Sequence, residues 1–298
     1  MNIQQTLYFF RTNKKLTQRD VLKYVDASVY SKIETGKKHL KFSELIEILN
    51  RLSIPFDEFS KYAGIENTQK TFRQLLDQYK QTPHDPIIKK QLYIYFYQLN
   101  FSKEMPLDQL SNYILFKAFF SSVWAEITPL TTHELEQIFE LLNEKEYFFH
   151  YDYAILANTI YLFSDKQIDC LMQKAFPVKD MDLRNAATKE FISNLINNLI
   201  TTLIKKEEFK QALFYLNLAK KENQNYDLSY KIIVDFLENL VFFIQTKDIC
   251  YAQVLTNHIN YLTNVGESDL AQNLKTELES LVAKDTLPPL ILRNYFNQ

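Results

Sequence analysis

Apolar positions along the chain recur at three- and four-residue intervals rather than in alternation, which predicts helices from one end to the other. Ile3, Leu7 and Phe10 share one face of a first helix, which Asn2 can cap and which runs to about Arg11. Thr17-Gln18-Arg19-Asp20 has the Ser/Thr-x-x-acidic form of a capping box and opens a second helix that buries Val21, Leu22 and Val25. A third helix is expected from Asp26 or Ala27 to Gly36, a residue suited to a left-handed C-cap, with Val29, Tyr30 and Ile33 turned inward. The fourth begins near Ser43 and buries Leu45, Ile46, Leu49 and Leu52; the fifth starts after Pro55 and contributes Phe56 and Phe59. Beyond Gly64, a helix over 68–79 leads to the break Thr82-Pro83-His84-Asp85-Pro86. Further helical segments are punctuated near Pro106, Pro129, Pro177, Asn223–Asn225 and Gly266. Two-helix units of about 40 residues can be traced over 187–221 and 226–264, within the period range of helical solenoids.

Composition sharpens this all-α reading. The 298 residues include three glycines and eight prolines, and Gly36, Gly64 and Gly266 stand far apart. A P-loop or a dinucleotide-binding turn needs several glycines within a few residues, so neither is present. The same scarcity removes the Gly-x-Ser-x-Gly elbow of serine hydrolases. His39, His84, His133, His150 and His258 form no His-Glu-x-x-His zinc pattern, because His133-Glu134 lacks the second histidine. Cys170 and Cys250 are too few for a disulfide framework or a thiolate zinc site. No cofactor, no metal and no enzymatic activity are therefore expected. The first residues lack the pattern of a signal peptide, and no apolar run approaches membrane-spanning length, so a cytosolic protein away from membranes is expected.

Charge divides the chain. Residues 1–64 carry a net +4 within an overall −2, which leaves −6 on the remainder. Between positions 11 and 41, nine basic side chains face Asp20, Asp26 and Glu34. A basic module on an acidic body suggests a polyanion-binding head. On the third helix Ser28, Ser31, Lys32 and Thr35 fall at i, i+3, i+4 and i+7, forming one exposed stripe of short hydroxyls and a lysine suited to base and phosphate contact. Lys37, Lys38 and Lys41 follow it and would add sequence-independent attraction to phosphate.

Leu16-Thr17-Gln18, then Tyr30-Ser31-Lys32-Ile33-Glu34-Thr35-Gly36-Lys37, then Leu45, Leu49, Leu52-Ser53-Ile54 and Phe59 together resemble the XRE-type, phage-repressor-like helix-turn-helix domain. The resemblance implies that the third helix is the recognition helix and that Thr17 and Gln18 open the second helix beside the phosphate backbone. It leaves two roles for Arg11, either phosphate contact or an internal pair with Glu34. The candidate DNA-binding set is Arg11, Thr17, Gln18, Ser28, Ser31, Lys32, Lys37, Lys38 and Lys41.

Within the acidic body, Glu208-Phe209, Ala212-Leu213, Tyr215 and Ala219 resemble the second helix of a tetratricopeptide repeat (TPR). In a helix predicted over 184–204, Ile192, Leu195, Ile196, Leu199 and Leu203 form a core stripe. Nearly opposite stand Glu190, Asn194, Asn197 and Thr201, with Asn198 on the flank. A solvated face favours Lys and Glu over Asn, whereas asparagines offer a donor and an acceptor to an extended peptide; a groove lining and a neutral solvent face both stay open for it. Arg184 can hold a ligand carboxylate or pair locally; Tyr153, Asn158 and Tyr230 complete the candidate peptide-binding set. An XRE-type head, a helical linker and a helical-repeat body resemble the Rgg/GadR/MutR regulators. That resemblance implies a homodimer whose body binds a short hydrophobic peptide and whose paired heads meet a near-palindromic operator in double-stranded DNA. The expected division is 1–65 DNA-binding head, 66–86 helical linker and 87–298 TPR-like dimerisation and peptide-binding body. Two other readings remain: a repressor governed by a protein partner, and a helical hydrolase or phosphatase with an appended head.

Overall fold

The computed structural model describes residues 1–21, 27–65, 69–83, 85–102, 104–222 and 228–282, and all regular structure among them is helical. Leu22, Val25, Asp26, Thr68, His84, Asn223, Asn225 and Arg293 lie outside the described residues. The chain forms two compact units, Met1–Gln98 and Leu99–Gln298.

The first unit opens with α1 (Ile3–Asn13), α2 (Gln18–Val21) and α3 (Ala27–Glu34). It continues with α4 (Phe42–Leu52), α5 (Phe56–Ala63), α6 (Gln69–Gln81) and α7 (Pro86–Gln98). Asn2 caps α1 in a reciprocal box with Gln5, which satisfies two backbone donors that the first turn leaves open. Leu7, Tyr30, Ile33, Ile48, Leu49 and Phe59 meet in one core. Two expected core positions move. In α4 the buried set is Leu45, Ile48, Leu49 and Leu52, the regular i, i+3, i+4, i+7 stripe, and Ile46 sits at its edge, half-buried. Phe56, at the start of α5, stays exposed and packs edge-on against Phe42. After the break, the Asp85 carboxylate accepts the Ile87 N–H at 2.8 Å and so starts α7.

The second unit holds α8 (Leu107–Phe120), α9 (Thr132–Asn143), α10 (His150–Thr159), α11 (Asp165–Ala175) and α12 (Ala186–Lys205). It ends with α13 (Phe209–Glu222), α14 (Leu228–Thr246), α15 (Ile249–Asn264) and α16 (Ser268–Val282). Helix α10 is the most buried element, with every residue from Asp152 to Ala157 covered, and it packs on α8 and α12. From α12 onward each helix packs on the next, as a solenoid requires. Ala212 and Ala219, the small residues of the TPR-like wording, are fully buried in α13 and let its neighbours approach closely.

One polar cluster lies inside this unit. The Lys117 ammonium reaches both Glu134 oxygens at 2.8 and 2.9 Å, and Tyr113 donates its hydroxyl to the same carboxylate. Thr131 N–H also donates to Glu134, so this one carboxylate both caps α9 and ties it to α8. Burial alone would raise the Glu134 pKa; the hydrogen bonds from Lys117, Thr131 and Tyr113 outweigh it and bring the group down to about 2.

Candidate DNA-contact edge and peptide groove

The outer edge of α3 is available. Ser28, Lys32 and Thr35 are exposed and Ser31 is half-exposed, whereas Tyr30 and Ile33 are buried on the opposite side. The Thr35 hydroxyl donates back to the Ser31 carbonyl at 2.8 Å. Gly36 has φ +71°, and the Lys37 and Lys38 N–H groups both return to the Lys32 carbonyl. This left-handed close starts a turn that carries Lys37, Lys38 and Lys41 away from the helix end. Lys37 and Lys41 are exposed. Lys38 pairs with Glu44 at 2.7 Å, and its hydrogen bond lowers the Glu44 pKa.

Arg11 is the clearest correction to the DNA-binding set. Its Nε and Nη2 donate to the two Glu34 oxygens at 2.7 and 2.9 Å, and Nη1 donates to the Leu16 carbonyl at 2.9 Å. The group is buried and all three of its nitrogens are used inside the head, so it holds α1 to α3 and reaches no phosphate. Its pKa is raised by the hydrogen bond to Glu34. Gln18 is corrected in part, because its Nε2 donates to Glu34 at 2.9 Å. Glu34 thus orients two elements at once. The signal for that role was its position four residues after buried Tyr30, on the inward side of α3. The Thr17 hydroxyl and N–H both donate to Asp20, at 2.6 and 2.7 Å, and these bonds lower the Asp20 pKa. The expected box is therefore present only on its acidic side, and the hydroxyl proton points to a carboxylate rather than outward.

Replacing Ser28, Ser31 or Lys32 with alanine is expected to weaken DNA binding while circular dichroism stays unchanged, because each side chain lies on the open edge. Each lost base contact should cost about 1–3 kcal/mol, the range of a single specific pair. Unaltered affinity in all three variants would refute the assignment of this edge.

The peptide-binding set separates more sharply. Tyr153 is buried, with its hydroxyl on the Ala175 carbonyl at 2.9 Å, and Tyr230 is also buried; both belong to the core rather than to a groove wall. Asn198 donates to the Ala157 carbonyl at 2.8 Å and pins α12 to α10. Asn158 donates to the Ala154 carbonyl of its own helix. Arg184 precedes α12 and donates Nε and Nη2 to the Lys179 carbonyl, its guanidinium 4.8 Å from the Tyr147 ring centre. That edge of the guanidinium is committed locally.

Asn194 and Asn197 remain. Asn194 is exposed on α12, and Asn197 beside it is half-buried, with an enclosed Oδ1 that accepts no hydrogen bond. Thr201, one turn on, is half-exposed and Glu190 is exposed. Ile192, Leu195, Ile196, Leu199 and Leu203 are buried as the stripe on the other side. Among the described residues no group of His, Cys, Asp and Glu is placed to hold a metal, and no helix is long and apolar enough to cross a membrane.

Residues 73–276 match the family model described as HTH-type transcriptional regulator Rgg, C-terminal domain. No curated protein sequence matches the chain. Solved structures share its fold. The PrgX/cCF10 complex is similar over 93% of this chain and 99% of that one, with 21% identity and a TM-score of 0.77. A bacterial peptide pheromone/receptor complex covers 94% and 98%, at 20% identity and a TM-score of 0.77. The SHP pheromone receptor Rgg2 of Streptococcus dysgalactiae covers 94% and 100%, at 16% identity and a TM-score of 0.74. At these identities the likeness speaks for the fold, and the family match, which takes in more than two thirds of the sequence, speaks for descent. The chain belongs to the Rgg family of HTH-type transcriptional regulators.

Proposed function

We propose that this regulator binds double-stranded DNA as a homodimer through the α3 edge of its head and is controlled by a short hydrophobic peptide held against α12. The head is residues 1–65, the linker 66–86 and the sensing body 87–298, and the protein works in the cytosol without catalysis. Two heads about a two-fold axis set their recognition helices in successive major grooves, about 34 Å apart, so the operator is near-palindromic.

The observation that carries the peptide reading is the Asn197 Oδ1, enclosed and without a donor, beside exposed Asn194. A buried acceptor left unpaired is unfavourable, and a ligand N–H satisfies it. An extended peptide supplies such donors at regular spacing, and asparagine answers with both a donor and an acceptor. The pheromone receptors among the structural neighbours support the same reading. A peptide alters the protein only through its different affinities for two arrangements of the body.

The test is a titration of the full chain with a panel of short hydrophobic peptides, read as a dose-dependent rise in melting temperature. Replacing Asn194 and Asn197 together with alanine should weaken that response roughly tenfold, the equivalent of about one net hydrogen bond. Binding of generic duplex DNA should stay as it was. Flat melting curves across the panel would remove the peptide from this account, and a response that survives in the double variant would move it away from α12.

A further inference from the structure

We infer that Lys32 reads a guanine in the major groove, so that each half of the operator carries a guanine at the place its ammonium reaches. The inference rests on the DNA binding proposed above and names the base that one side chain selects.

Four side chains make up the open edge of α3, and they differ in reach and in what they have left to offer. Ser28, Ser31 and Thr35 are short, whereas the four-carbon stem of Lys32 carries its ammonium beyond them. Thr35 has its hydroxyl proton on the Ser31 carbonyl at 2.8 Å, so it keeps none to give to a base. A serine hydroxyl both donates and accepts, and it therefore fits any base edge. Lys32 is the one basic side chain within α3, and it is exposed. Among the described residues no carboxylate pairs with it: Glu34 holds Arg11 at 2.7 Å, and Glu44 holds Lys38 at 2.7 Å. Buried Tyr30 and Ile33 fix the helix from behind and keep this ammonium on the outer side. Lys37, Lys38 and Lys41 come after the Gly36 turn, beyond the helix end.

The donor pattern then selects the base. An ammonium has three N–H groups and no acceptor. Of the four bases, only guanine turns two acceptors and no donor to the major groove, its N7 and O6. Adenine sets its N6 amino group beside N7, cytosine shows an amino donor, and thymine has the single acceptor O4 beside a methyl group. Lysine at this place gains two hydrogen bonds from guanine, one from adenine or thymine, and none from the amino group of cytosine. The positive charge strengthens each bond that forms.

The test selects duplexes from a randomised library with the full chain and repeats the selection with Lys32→Gln. The parent chain should enrich sequences with a guanine at matching places in the two half-sites. Glutamine offers a donor and an acceptor together, the pattern that adenine N7 and N6 complete. The variant should therefore enrich adenine at that place and keep the parent's bases elsewhere. A second arm alters only the DNA. With 7-deazaguanine, which has a C–H in place of N7, the parent chain should bind roughly tenfold more weakly, the size of one base contact. In Lys32→Ala that difference between the two duplexes should vanish. Enrichment of the parent's guanine by Lys32→Gln, or no penalty from 7-deazaguanine, would overturn the assignment. So would an equal loss on guanine and adenine duplexes with a salt slope shallower by about one unit, which marks a phosphate contact. Each of these results leaves DNA binding by the head standing, whereas a parent chain that enriches no duplex would overturn both.

Discussion

Replacing Lys117 with methionine is expected to destabilise the second unit by about 3–5 kcal/mol, because it strands a carboxylate inside the protein. The side chains of Lys117 and Glu134 are only 4% and 10% exposed, so water cannot take over the role of the ammonium. For a unit of this size the loss corresponds to a fall of roughly 10 °C in Tm. The double replacement Lys117→Met, Glu134→Leu should recover much of it, since a buried ion pair exchanged for apolar groups of similar volume is often neutral. A single-variant melt within one degree of the parent would show that the pair contributes nothing. The same cluster fixes an acid limit. Glu134 has a folded pKa of about 2, below its unfolded value near 4.3, so its stabilisation is complete above the unfolded value. It is lost as pH falls from about 4.5 to 2, an amount on the order of 3 kcal/mol. Urea melts across that interval should be flatter for Glu134→Gln than for the parent chain.

Arg11→Ala is expected to unfold the head while leaving the second unit intact. Glu34 would be left almost wholly buried with its bidentate partner gone, a penalty of about 3–5 kcal/mol. Small helical domains have total stabilities of a similar order, about 5 kcal/mol, so little would remain. Hydrogen exchange would show the amides of α1 and α3 exposed, and DNA binding would vanish with them. Arg11→Lys should rescue only part of this, because a single ammonium nitrogen cannot span the three acceptors that Nε, Nη2 and Nη1 of the planar guanidinium reach separately, the two Glu34 oxygens and the Leu16 carbonyl. The outcome that rejects this account is a folded head with a merely shallower salt dependence of DNA binding, since that is the behaviour of a phosphate contact.

Much of the architecture was legible in advance because helices announce themselves locally. The α1 cap at Asn2, the close at Gly36 and the buried stripe of α12 depend on residues within one or two turns of each other, so spacing alone located them. The two-helix units traced over 187–221 and 226–264 correspond to α12–α13 and α14–α15 for the same reason. Edges were less legible. Ile46 and Phe56 are as hydrophobic as their buried neighbours, and in α4 it is Ile48, not Ile46, that completes the i, i+3, i+4, i+7 stripe which the core covers. Side-chain partners were less legible still. Asn198 and Asn197 are adjacent and chemically identical, yet one is spent on the Ala157 carbonyl of α10 and the other keeps an unpaired oxygen.

The amino-acid order by itself determined that the chain is helical, that its basic charge gathers in the first 64 residues and that a hydroxyl-and-lysine edge runs along the third helix. Those properties follow from periodicity and charge, which act over one to three turns. Tertiary structure alone decided which polar groups are left over. Arg11 and Gln18 converge on Glu34, Lys117 crosses to Glu134, and Tyr153 turns to the Ala175 carbonyl. Each of these is a contact between elements distant in sequence, and a hydrogen bond is satisfied or left open only once the packing has brought its two ends within about 3 Å.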